Sequence, residues 1–126
     1  MGLFDIFKTK DTEPQQNLNW FTIKSKDQLQ DLDRLSNDKL MIIFKHSTSC
    51  PISKMALNRF QKEADFDVEK ADLFYVNVLE QRDVSNAIAE RYGVMHQSPQ
   101  LIIIKNAHVV HHASHSAIVP SVLNQL

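Results

Sequence analysis

Cys50 is the only sulfur nucleophile in the chain, and polar residues frame it on one side: Ser47-Thr48-Ser49 precede it and Pro51-Ile52-Ser53 follow. Behind it, Ile52, Met55, Ala56 and Phe60 recur at helical spacing. Proline is favoured at the first helical position, so Cys50 falls at or beside the N-cap of a predicted helix. Backbone N–H groups and the positive end of the helix dipole then face the sulfur and favour thiolate over thiol. Free cysteines are often inert core residues; the helix start and the hydroxyl-bearing neighbours argue for a reactive one. Cys50 to Ser53 reads C-x-x-S. In a C-x-x-C pair the second cysteine resolves the mixed disulfide formed by the first. A serine there can donate a hydrogen bond to the thiolate but cannot close a disulfide. The expected chemistry is therefore monothiol: attack, a mixed disulfide, then release by an external thiol.

Other residues are candidates around this one. Ser98-Pro99-Gln100 stands before an apolar run at 101–104. A proline at the entrance to a buried strand must keep its missing N–H outside the ladder. Lys54, one turn into the predicted helix, offers positive potential to a bound anionic thiol. His46 and His96 lie close in sequence to Cys50 and Pro99, and packing explains them equally well. His108, His111, His112 and His115 cluster within eight residues. On a regular strand the first and third share one face and the second and fourth the other, so four convergent metal ligands are not expected. Glu63, Asp65, Asp67 and Glu69 read as a solvated helix end.

The elements that must position these residues follow from periodicity. Trp20, Phe21 and Ile23 suggest a short strand, and Leu29, Leu32 and Leu35 mark one face of a helix over 27–35. Residues 40–44 are apolar on both faces, as in a central strand covered on each side. Further strands are predicted at 73–79 and 101–104, and a helix at 84–92 stopped by Gly93. Asn106-Ala107 forms a turn into Val109-Val110, and a last helix is expected over 120–126. Strands alternating with helices argue for a largely parallel core, with antiparallel pairing added by the late hairpin.

The chain has 126 residues, 43% hydrophobic and 23% charged, with net charge −1 and one cysteine. That length suits a single domain, here residues 19–126 after an N-terminal tail at 1–18. The neutral balance gives no support for nucleic acid or an anionic membrane surface as partner. No apolar run approaches the roughly 18 residues of a membrane span. The start carries no apolar stretch of about 7 residues or more, so no secretory leader is expected. A single free thiol without a leader suits the reducing cytoplasm. One cysteine excludes an intramolecular disulfide and a multi-thiolate zinc site. Two glycines exclude a glycine-rich phosphate loop.

Ser49-Cys50-Pro51-Ile52-Ser53, with His96-Gln97-Ser98-Pro99-Gln100 and His112-Ala113-Ser114-His115, resembles the YtxJ-like monothiol bacilliredoxins of the thioredoxin superfamily. The resemblance spans about residues 20–126. It implies an α/β, thioredoxin-like fold: a mixed central sheet with helices on both faces. It implies a cytoplasmic enzyme of low-GC Gram-positive bacteria that removes bacillithiol from S-bacillithiolated proteins, with bacillithiol as thiol co-substrate and no bound cofactor or metal. Carried over by motif, Cys50 is the nucleophile, Pro51, Ile52 and Ser53 complete its motif, and Pro99 is a cis-proline. Ser98 and Pro99 then dock the client by strand-like pairing, and Lys54 attracts the anionic thiol. Family members often carry Thr where Ser49 stands. Three rival functions remain. A thiol peroxidase of the peroxiredoxin pattern expects a proline at the position of Ile43. An iron–sulfur carrier resembles Cys-Gly-Phe-Ser, with glycine where Pro51 stands. A non-enzymatic adaptor would not need Cys50.

Overall fold

The computed structural model describes residues 20–67 and 69–126. The tail expected over 1–18 lies outside them. The chain runs β1 (Trp20–Thr22), α1 (Gln28–Leu35), β2 (Leu40–His46), α2 (Pro51–Glu63), β3 (Ala71–Asn77), α3 (Arg82–Tyr92), β4 (Gln100–Lys105), β5 (His108–Ser114). Two 3₁₀ segments follow, His115–Ala117 and Pro120–Gln125. The last of these was expected as an α-helix. It is only six residues long and starts with proline, and it anchors through Leu123, which is buried. No described helix is long and apolar enough to cross a membrane.

Five strands form one sheet in the order β1-β3-β2-β4-β5. β1, β3 and β2 are parallel, while β4 runs antiparallel to β2 and β5 antiparallel to β4. The core is thus less parallel than the alternation of elements implied. Apolar periodicity carries no direction, and the reversal comes from the chain after α3. Gly93, at φ 67°, ends that helix in the left-handed conformation that glycine adopts without steric cost. The chain then reaches β4 at the end where β2 finishes, and Gln100 pairs with Lys45.

Successive residues of the central strands point to opposite faces, which builds two cores. Met41, Ile43, Phe74, Val76, Ile102 and Ile104 pack under α1 and α3. Ile42, Phe44, Leu73, Tyr75, Leu101 and Ile103 pack under α2 and the closing 3₁₀ segments. Full burial of one such side chain contributes roughly 1.5–3 kcal/mol.

Two local expectations change. The buried stripe of α2 is Ser53, Leu57 and Phe60, whereas Ile52 and Met55 are 59% and 71% exposed. In the hairpin, Asn106 and Ala107 take positive φ of 51° and 64°, the turn geometry that matches sheet twist. The register then slips: Val109 opposes Ile104 and His111 opposes Ile103. The extra residue is a bulge at Val110, which rephases the strand. His108 therefore shares a face with His111 rather than with His112.

Candidate active site

The site lies where β2 gives way to α2. Cys50 is half-buried and caps α2 in extended geometry, at φ −105° and ψ 117°, with Pro51 as the first helical residue. Its own N–H bonds the Ser47 carbonyl at 3.2 Å, and its carbonyl accepts the first helical N–H, from Lys54, at 3.0 Å. The sulfur thus sits at the amino end of a helix of 13 residues.

Ser53 does not serve the sulfur. Its side chain is fully buried; its Oγ accepts the Ser47 N–H at 3.0 Å and pairs with His46 Nδ1 at 2.6 Å. One oxygen thus holds both the Ser47 amide and the His46 ring. The hydroxyl ties the loop of 47–49 to the helix, and the hydrogen bond to the thiolate expected from the motif is replaced by this brace. His46 is buried against the Tyr75 ring, with centroids 5.9 Å apart. Burial, and next the charge of Lys54, push its pKa below the ordinary value, opposed by a hydrogen bond with the Ser53 backbone.

On the opposite face of β2, Lys45 has no solvent exposure. Its Nζ donates to the Ser85 carbonyl of α3 at 3.0 Å and meets His96 Nδ1 at 3.2 Å. Ser85 Oγ lies 3.0 Å from the same ring nitrogen. Burial pushes the Lys45 ammonium down to about 8. Desolvation, then the charges of Lys45 and Arg82, lower the pKa of His96.

These groups back onto a pocket of about 330 Å³ that Cys50 shares with Arg82, Ser85, Asn86, His96 and Ser98. The Ser98–Pro99 bond is cis, as the resemblance implies, and Pro99 is buried. Ser98 Oγ is buried with no hydrogen-bond partner among the described residues. The structure therefore brings Cys50, Ser98 and His96 together. Lys54 lines a different depression, with His46, Thr48, Leu57 and Asn58. His115 lies in a third, beside Ile52 and Met55.

Sequence reasoning missed Lys45, Arg82 and Asn86. Lys45 follows a run that is apolar on both faces, so no alternation marked it, and only extending β2 past Phe44 buries it. Arg82 and Asn86 sit at 82 and 86, one helical turn apart at the start of α3, but nothing local ties them to a cysteine more than 30 residues away.

Residues 21–123 match the family model of the monothiol bacilliredoxin BrxC. Among solved structures, the chain is 31% identical to an oxidoreductase candidate with a thioredoxin fold, with TM-score 0.69 over 84% of this chain and 91% of that one. A thioredoxin from Malassezia sympodialis is 23% identical, with TM-score 0.62 over 92% of each chain. A thioredoxin from Nicotiana alata is 17% identical, with TM-score 0.65 over 90% and 93%. The last two share the fold alone, the α/β architecture of a mixed sheet between helices.

Proposed function

The chain belongs to the monothiol bacilliredoxin family, and from that premise we propose that it is a thiol–disulfide oxidoreductase that strips bacillithiol from bacillithiolated proteins through Cys50. The Cys50 thiolate attacks the bacillithiol sulfur of the client's mixed disulfide. A Cys50–bacillithiol disulfide forms, the client sulfur leaves as thiolate, and it takes a proton from water. A second bacillithiol thiolate then attacks the bacillithiol sulfur on Cys50. Bacillithiol disulfide departs and the Cys50 thiolate returns. The client sulfur is reduced and the sulfur of the incoming second bacillithiol is oxidised into the disulfide, so the protein itself is unchanged.

The observation that carries this reading is the placement of Cys50, the one thiol of the sequence, half-buried at the start of α2. A thiolate at a helix start is both an ionised attacker and a good leaving group. Ser98 and Pro99 supply backbone for an extended client, and Ile52, Met55 and Met95, 59–79% exposed, supply apolar contact. Cytoplasmic clients suit a chain that works through a free thiol.

The test follows release of bacillithiol from a bacillithiolated client by mass spectrometry of both proteins. Cys50→Ser is expected to abolish release, because a serine hydroxyl is negligibly ionised near neutral pH. Wild-type protein quenched before the second thiol is expected to carry one bacillithiol on Cys50. Release by Cys50→Ser at the wild-type rate overturns the proposal.

A further inference from the structure

Arg82, Asn86 and His96 have no part in the exchange step, yet all three line the pocket that holds Cys50. We propose that this pocket is a carboxylate-binding subsite, which grips the small-thiol half of the mixed disulfide while Cys50 attacks its sulfur. The inference rests on reading the protein as an enzyme of low-molecular-weight mixed disulfides, and it assigns the recognition of that thiol to residues outside the Cys-x-x-Ser motif.

Charge is the first argument. Among the residues lining the pocket Arg82 is the cation, and no carboxylate is present to neutralise it. The Arg82 side chain is exposed at the first position of α3, so its guanidinium is free to form the paired hydrogen bonds that suit a carboxylate. Lys54, the cation expected to do this from its place in the helix of Cys50, lines another depression.

His96 presents a donor from a fixed ring. Its Nδ1 faces the buried Lys45 ammonium at 3.2 Å and Ser85 Oγ at 3.0 Å. An ammonium has only donors, so Nδ1 accepts and the ring proton resides on Nε2. Desolvation, and next the charges of Lys45 and Arg82, lower the His96 pKa and disfavour a second ring proton. Nε2–H, on the side of the ring away from that buried pair, is then a fixed donor. Lys45 is a positioning residue in this scheme, acting through His96 alone.

Ser98 adds an unmet donor. Ser98 Oγ is buried, has no partner among the described residues, and belongs to the same wall. A buried hydroxyl without a partner is destabilising, and a carboxylate oxygen arriving in the pocket relieves it. The volume of about 330 Å³ lies at the small end of the range for small-molecule sites.

Two alkylating probes of Cys50 separate a subsite from its surroundings. Iodoacetate and iodoacetamide differ in carrying a carboxylate or an amide. The ratio of their rates is expected to fall between about two- and five-fold in Arg82→Gln, the effect of losing a solvent-reachable ion pair. It is expected to return toward wild type in Arg82→Lys, while the iodoacetamide rate stays constant. His96→Phe removes a donor without removing a charge, and the ratio is expected to fall there too. Asn86→Ala, at an exposed position, stands in if that variant fails to fold. An unchanged ratio in Arg82→Gln overturns the subsite. A fall confined to Arg82→Gln also overturns it, since that pattern is long-range attraction without binding. Bacillithiol release from a client is read separately. Normal release with an unchanged ratio leaves the function standing without the subsite. A fallen ratio in both variants with no release leaves the subsite standing and removes the assigned activity.

Discussion

A lysine with no solvent exposure has to find acceptors inside the protein, and Lys45 finds them in the Ser85 carbonyl and His96 Nδ1. Those bonds do not fully replace water: the ammonium titrates near 8 in the folded protein, down from 10.5. Between those pH values the unfolded chain binds the extra proton. Stability from this group therefore rises with pH across the window, and the penalty is largest below 8. Lys45→Met is expected to raise the unfolding free energy at pH 7 by about 1–3 kcal/mol. The gain is expected to vanish toward pH 10.5. Urea titrations of both proteins at each pH give the difference curve. Subtraction cancels Tyr92, whose phenol pKa is raised by burial and by its hydrogen bond to Asp33 and which withdraws stability above pH 10. The same variant leaves His96 Nδ1 to Ser85 Oγ alone and so also enters the alkylation ratio.

At the scale of the element, the start of α2 is held by a side chain that the motif assigned elsewhere. Ser53→Ala leaves the Ser47 N–H and the His46 ring without their partner in a fully buried place. A loss of about 1–3 kcal/mol is expected, read as a lower urea midpoint. Release of bacillithiol is expected to persist, because no bond from this hydroxyl to the sulfur is broken. The start of α2 was legible in the sequence, since Pro51 fixes where a helix can begin and Cys50 must then cap it. The partner of Ser53 was not. His46 meets it only because β2 runs two residues past its apolar stretch, and a lysine and a histidine after Phe44 read locally as loop. The direction of β4, a strand the sequence does place, and the bulge at Val110 were not legible for a related reason. Strand direction and register are decided by the partner strand, and the alternation of one segment carries neither.

For the molecule as a whole, acid is the sensitive direction. His46, His96 and His111 all have pKa values lowered, each chiefly by burial. The unfolded chain binds protons at these three positions more readily than the folded one. Stability from them is present above the ordinary histidine value of about 6.5 and is lost as pH falls through their folded values. The urea midpoint is expected to drop between pH 7 and pH 5.5, and His46→Phe is expected to flatten part of that drop. A pH-independent midpoint would refute the shared sign. The overall architecture was legible because apolar runs at 40–44, 73–79 and 101–104, with helical spacing between them, call for a sheet covered on both faces. What joins α1 to α3 was not: Asp33 accepts from Arg91 and from the Tyr92 hydroxyl across 58 and 59 residues of chain.

Trp20 is the only tryptophan, and its place in β1 turns it into an optical gauge. Its indole lies 6.0 Å from Phe60 of α2 and 6.3 Å from both Phe44 and Tyr75, between centroids, and its Nε1–H bonds Gln61 of α2 at 3.2 Å. Emission from one fluorophore thus reports whether the edge strand, the sheet and the helix of Cys50 are still assembled. A red shift marks the moment at which water reaches that junction, and no label has to be attached to the single reactive thiol.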